Sequence, residues 1–305
     1  MSSKIEWTDE TWNPATGCTR VSEGCTRCYI ERTPPMRMAH RKFDGPHIGA
    51  TTGVQLHPKR LGEPLSWRKP RLVFVCSMAD LFHDEIDADY IASIWAVMAC
   101  AGRHTFQVLT KRAARMRALL SSPQFQQDVR NYADAIGRDG WDESWPLRNV
   151  WVGVSAENQQ WADLRIPALL SSPAAVRFVS AEPLLGPIDL TRGLLAPDEF
   201  GRGLDWLIVG GESGPGARPM DPSWARSLRD QSTAAGVAFH FKQWGEWAPT
   251  GFGLGRFDPP EQLIGSPVDD LGFRQIVRRV GKKKAGRELD GQVWDQFPAV
   301  TGGAR

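Results

Sequence analysis

From Arg71 onward the chain alternates short, largely apolar runs with longer segments of helical period. Leu72-Val73-Phe74-Val75 contains no polar position, the pattern of a strand covered on both faces. Comparable runs follow at Thr105–Leu109, Val150–Val154, Val176–Val179, Trp206–Val209 and Ala238–Phe241. Between them, Ile91, Ile94, Trp95, Val97 and Met98 recur at helical spacing, with Gly102 as the stop. A second helix runs from beyond Lys111 to about Leu120, and a third passes through Trp161, Leu164 and Leu169. The fourth has Asp221 as N-cap, Pro222 in the first helical position and Gly236 as its end. A short strand around Thr11–Asn13 brings the total to about seven strands.

Strands that alternate with helix-length segments are parallel, so the predicted class is α/β, a complete or partial (β/α) TIM-like barrel. A doubly wound open sheet is the rival. The barrel is preferred because each strand is followed by a polar residue: Asp80, Lys111, Glu157, Glu182, Glu212 and Lys242. In a barrel such residues converge on one mouth, where the sites of this architecture lie. The barrel is expected over residues 1–247, with a cysteine-rich loop at 13–29 and an insertion, loop or small helical excursion, near 121–149. Residues 31–70, rich in proline and without a sustained apolar period, are expected to form one or two helices and loop. Residues 248–305, Gly/Pro-rich with a charged tail, are expected as a C-terminal extension outside the barrel.

Composition narrows the setting. A hydrophobic fraction of 41% with 24% charged residues is that of a soluble globular protein. The polar start, Met1 to Glu10, has no signal-peptide core, and no apolar run approaches the ~20 residues that span a bilayer. A cytoplasmic protein without a membrane partner is expected. The net charge of +2 is small but unevenly placed: Arg27 to Arg71 holds ten Lys/Arg against three Asp/Glu. That stretch is either a solvated face or a track for a phosphate backbone. The 13 tryptophans are spread along the whole chain.

Three of the five cysteines, Cys18, Cys25 and Cys28, fall within eleven residues. In a reducing compartment such a group points to a metal, and an odd number does not suit a disulfide framework. Three protein ligands leave one coordination position open, as a catalytic site requires. The residues alone leave two readings: a [4Fe–4S] cluster with one iron open to a small molecule, or a structural zinc closed by His40 or another nearby group. Cys76 and Cys100 read as core thiols. His83 beside Asp84 reads equally as a helix-start residue or a catalytic one. The Gly210–Gly216 loop fits neither standard phosphate-binding pattern.

Several motifs together carry a resemblance: Ile5-Glu6-Trp7-Thr8, Trp12-Asn13-Pro14, Gly17-Cys18, Gly24-Cys25, Cys28-Tyr29 and Trp67-Arg68-Lys69-Pro70. With them stand Ser77-Met78-Ala79-Asp80-Leu81-Phe82-His83, Leu109-Thr110-Lys111-Arg112 and Val152-Gly153-Val154-Ser155. Ser180–Pro187, Gly210–Gly214 and Phe241–Gly245 complete the set. The chain resembles, from about residue 3 to 247 and again over Lys282–Phe297, a phage-associated three-cysteine family of uncharacterised proteins. That family is similar to the radical S-adenosylmethionine (SAM) enzymes. The resemblance implies a [4Fe–4S] cluster on Cys18, Cys25 and Cys28, with SAM on the fourth iron and a reductase as electron donor. Cleavage of SAM would then give a 5′-deoxyadenosyl radical that abstracts hydrogen from a substrate. Two features depart from the common radical-SAM pattern. Six residues, not three, separate the first two cysteines, and Gly210-Gly211-Glu212 follows a late strand rather than the second.

The expected protein is therefore a radical-SAM-like enzyme acting on a nucleotide or nucleic acid. Lys111, Glu182 and Lys242 are the expected catalytic residues, and Ser77, Asp80, Ser155, Glu157 and Glu212 the expected cofactor-binding ones. The alternatives are a non-catalytic nucleic-acid-binding protein stapled by zinc or an iron–sulfur centre, and a metal-dependent lyase or hydrolase that uses the strand-end carboxylates without SAM.

Overall fold

The computed structural model of the chain describes residues 5–191, 203–255 and 260–299. Seven strands share one sheet in the order β1 (Glu10–Trp12), β2 (Leu72–Val75), β3 (Thr105–Thr110), β4 (Val150–Ser155), β5 (Val176–Ala181), β6 (Trp206–Gly210) and β7 (Ala238–Gln243). The pairings β1–β2, β2–β3, β3–β4 and β6–β7 are parallel. Strand order follows chain order without reversal. A doubly wound sheet must reverse at a switch point, so this is the order of a partial (β/α) barrel. The chain divides into two compact units. Among the described residues the first takes those up to Val154 and Arg165–Phe178, and the second takes Ser155–Leu164 and Val179–Ala299.

In the first unit the strands are buried on both faces: Val73, Val75, Phe106 and Val108 are all withdrawn from solvent, as are Trp151, Val152 and Val154. Gln107 is fully buried inside β3. Its amide N–H donates to the Trp7 carbonyl at 3.1 Å, while its Oε1 has no partner among the described residues, so only part of the cost of burying it is offset. The helices are α1 (Ala88–Cys100), α2 (Ala113–Leu120), α3 (Pro123–Ile136) and α4 (Gln159–Leu170), the last shared between the units. Asp87 caps α1 by accepting from the Tyr90 N–H at 2.6 Å. Helix α3 occupies much of the expected insertion. Ser122 caps it, Pro123 opens it, and Phe125, Val129 and Ala133 form its buried stripe. The stripe meets α1 through Phe125 and Trp95, whose ring centroids lie 6.0 Å apart. A three-residue stripe in an otherwise polar helix is a faint signal beside the flanking Gly and Pro. The 31–70 region contains two short helices, Pro34–Met38 and Glu63–Ser66, and a two-residue pairing of Ala15–Thr16 with Gln55–Leu56.

In the second unit, helix α5 (Pro222–Ala235) has the expected bounds. After it and β7, the chain builds an antiparallel sheet in the order β8 (Trp247–Gly253), β10 (Arg274–Arg279), β9 (Glu261–Ile264). Its small core is Trp247, Val277 and Ala217 with Ile264 packed against them. The chain then returns along β7: the Phe241 N–H donates to the Trp294 carbonyl and the Gln296 N–H to the Phe239 carbonyl. A strand edge left bare invites pairing with other chains, and here part of the C-terminal segment covers it. The spread of tryptophans has a matching cause. Trp206, Trp244 and Trp247 in this unit, like Trp12 and Trp145 in the first, each donate an indole N–H to a backbone carbonyl distant in sequence.

Candidate active site

The residues expected at the site fall into two sets, one in each unit. Cys18, Cys25, Cys28, Ser77, Asp80 and Lys111 belong to the first unit, and Ser155, Glu157, Glu182, Glu212 and Lys242 to the second. Each set has its own network of partners.

The cysteine loop follows β1 and is held from several sides. The Gly17 N–H donates to the Met78 carbonyl at 2.8 Å, and Asn13 Oδ1 accepts from the Met78 N–H and the Ser77 hydroxyl. Gly17 has φ +95, and a Cβ there would lie 1.8 Å from the Gly53 carbonyl oxygen. Only glycine satisfies both the left-handed backbone and the close approach. The Cys18 N–H donates to Thr52 Oγ1 and its carbonyl accepts from the Thr52 N–H. Cys25 ends a single 3-10 turn, Glu23–Cys25, and the Cys28 N–H donates to the Cys25 carbonyl. Arg41 ties the 50–55 segment to this loop by donating to the Thr16, Thr52 and Gly53 carbonyls.

All three cysteines are free thiols and half-buried. Burial pushes Cys18 up to about 12, reinforced by the Asp80 carboxylate and opposed by the Arg112 guanidinium. Burial likewise pushes Cys28 up to about 11, while the Ile30 backbone, Lys111 and Arg20 act the other way. Arg112 Nη1 lies 4.0 Å from Cys18 Sγ and 3.2 Å from Asp80 Oδ2. Asp80 accepts further from the Thr110 hydroxyl at 2.6 Å, the Phe82 N–H at 3.0 Å and the Lys111 N–H at 2.9 Å. His83 Nδ1 accepts from the Glu85 N–H, which places the ring proton on Nε2, 2.8 Å from Thr19 Oγ1. Burial and then Arg112 lower its pKa, in keeping with that neutral ring.

In the second unit Lys242 Nζ donates to both oxygens of Glu182, at 2.7 and 2.8 Å. The Gln243 amide spans Glu182 Oε1, the Gly211 carbonyl and Ser213 Oγ. Glu212 takes the Arg218 side chain and backbone N–H together. Glu157 and Ser155 are buried, and the Glu157 carbonyl accepts from the Leu185 N–H at 2.7 Å. Sequence reading missed Arg112, Arg218 and Gln243. Adjacency signals two of them, since Arg112 follows Lys111 and Gln243 follows Lys242, whereas Arg218 has no such neighbour. Of the basic stretch, Arg41 and Arg60 serve backbone carbonyls and Arg71 pairs with Glu10, whereas Arg37, Lys42, Lys59, Arg68 and Lys69 are exposed.

Three unbridged thiols with cations beside two of them suit an anionic thiolate-bound group. Among the described residues no three His, Cys, Asp or Glu side chains are already gathered as a metal-ion site, and no helix is long and apolar enough to cross a membrane. A family model described as "Protein of unknown function (DUF5131)" matches residues 2–298, and the chain belongs to that family. No curated protein and no solved structure matches the chain.

Proposed function

We propose that the protein is a radical SAM-type enzyme acting on a nucleotide or nucleic acid, with Cys18, Cys25 and Cys28 as ligands of a [4Fe–4S] cluster. The observation that carries this reading is three free thiols on the loop after the first strand of a parallel sheet, with Arg112 against Cys18 and Lys111 and Arg20 near Cys28. When bound, the cluster and SAM supply one-electron cleavage of the sulfonium and a hydrogen-abstracting radical. The chain's own residues have simpler tasks. Arg112, fixed by Asp80, offsets negative charge at Cys18. Asp80 is a positioning residue, since its oxygens meet four donors of the protein itself. Lys242 and Glu182 form a polar pair that can hold or pass a proton at Nζ.

The test is anaerobic reconstitution with iron and sulfide analysis, followed by an assay for dithionite-dependent 5′-deoxyadenosine. Roughly four irons per chain, lost in Cys18→Ser, with deoxyadenosine formed, is the expected result. Bound zinc, no iron uptake and no SAM cleavage would refute it in favour of a metal-stapled binding protein.

A further inference from the structure

The second unit contains a pocket of about 520 Å³ to which none of the candidate-site residues contributes, a volume suited to a small-molecule ligand. Trp224, Phe252, Pro187 and Val268 are apolar residues lining it, and Asp221 and Arg226 are its charged lining residues. Arg226 is already neutralised by Asp290, with contacts at 2.8 to 3.1 Å. Asp221 is not. It is only 4% exposed, and Oδ1 caps α5 through the Ser223 N–H at 2.8 Å. Oδ2 has no hydrogen bond among the described residues. Its close neighbour is Gly265, where a Cβ would fall 1.9 Å away, so a side chain at that position would displace the carboxylate. A carboxylate oxygen that lines the pocket and meets no donor of the protein is free to accept from a ligand. A ligand that brings an N–H to it and a flat ring to Trp224 answers both features.

We infer that this cavity binds an amino-bearing nucleobase, with the exocyclic amino group donating to Asp221 Oδ2 and the ring stacked on Trp224. Carboxylates accept from base amino groups, and aromatic side chains stack on any base. An anionic phosphate finds no unpaired cation among the lining residues, so it is the base that is held. The inference rests on the nucleotide half of the proposed function, but binding requires neither cluster nor SAM.

Equilibrium dialysis of the full chain with cytidine and with N4,N4-dimethylcytidine tests it. Cytidine is expected to bind saturably, and the dimethyl analogue, which lacks the donor, at least ~10-fold more weakly. Asp221→Asn retains a capping oxygen and should weaken cytidine by a similar ~10-fold factor, as should Trp224→Leu. Circular dichroism reports whether each variant folds, and the analogue comparison on the unaltered protein needs no variant. Equal binding of the two nucleosides, or no saturation at millimolar cytidine, overturns the inference. Competition by SAM, whose adenine carries the same kind of amino group, would support the base site and give it to the cofactor instead of the substrate. Cytidine binding without SAM cleavage leaves this inference standing while the radical reading fails, and the reverse result separates them the other way.

Discussion

Asp80→Asn removes one charge from a buried cluster and changes little volume. If the amide oxygen takes the place of Oδ1, the bonds from Thr110 and Phe82 survive. The amide NH2 then faces the Lys111 N–H and the Arg112 guanidinium, both donors. Arg112, whose side chain is 10% exposed, loses its partner, a loss that costs about 3–5 kcal/mol when a buried pair is broken. The stranded Lys111 N–H costs about 1–3 kcal/mol by itself. The two effects share a site and overlap, so a total of about 4 kcal/mol is expected. Urea unfolding, read through hydrogen exchange of β2 and β3 amides, measures it within the first unit. Arg112→Met alone should also destabilise, and the double variant should be at least ~1 kcal/mol better than the sum of the two. Additivity within ~0.5 kcal/mol would show that the two side chains do not act as a pair.

Three further outcomes are expected. Gly17→Ala forces a left-handed residue against the Gly53 carbonyl and should cost at least ~2 kcal/mol, seen as lost exchange protection of the Gly17 N–H; unchanged protection would contradict the close approach. His104 is buried between Trp67 and Phe106, and burial lowers its pKa, with Arg103 and Arg71 adding to the effect against the Pro64 carbonyl bond. Its folded value lies below the unfolded one near 6.5, so its contribution is complete above that pH and is lost as pH falls toward the folded value. The unfolding midpoint should therefore drop less on acidification in His104→Gln than in the parent, and equal drops would rule His104 out. Lys242→Met leaves Glu182 with Gln243 alone and should cost about 2 kcal/mol, part of which Glu182→Gln restores; no recovery in the double variant would mean that the lysine acts by packing.

Much of the architecture was legible in sequence because burial on both faces leaves an unmistakable pattern. The apolar runs at Leu72–Val75 and Trp206–Val209 are strands, and Asp221, Pro222 and Gly236 bound α5 as read. Those signals are local: they depend on which residues prefer a strand interior, a cap or a left-handed turn. Helix α3 was less legible, since its stripe of Phe125, Val129 and Ala133 has meaning only against α1. The three cysteines announced themselves by spacing, yet spacing does not disclose that Arg112, 94 residues beyond Cys18, lies against its sulfur. Partner choice between Lys111 and Arg112, the pairing of Glu212 with Arg218, and the donorless oxygen of Asp221 were decided by tertiary structure. Which donors meet which acceptors depends on chain segments brought together in space, and no short stretch of sequence contains that information.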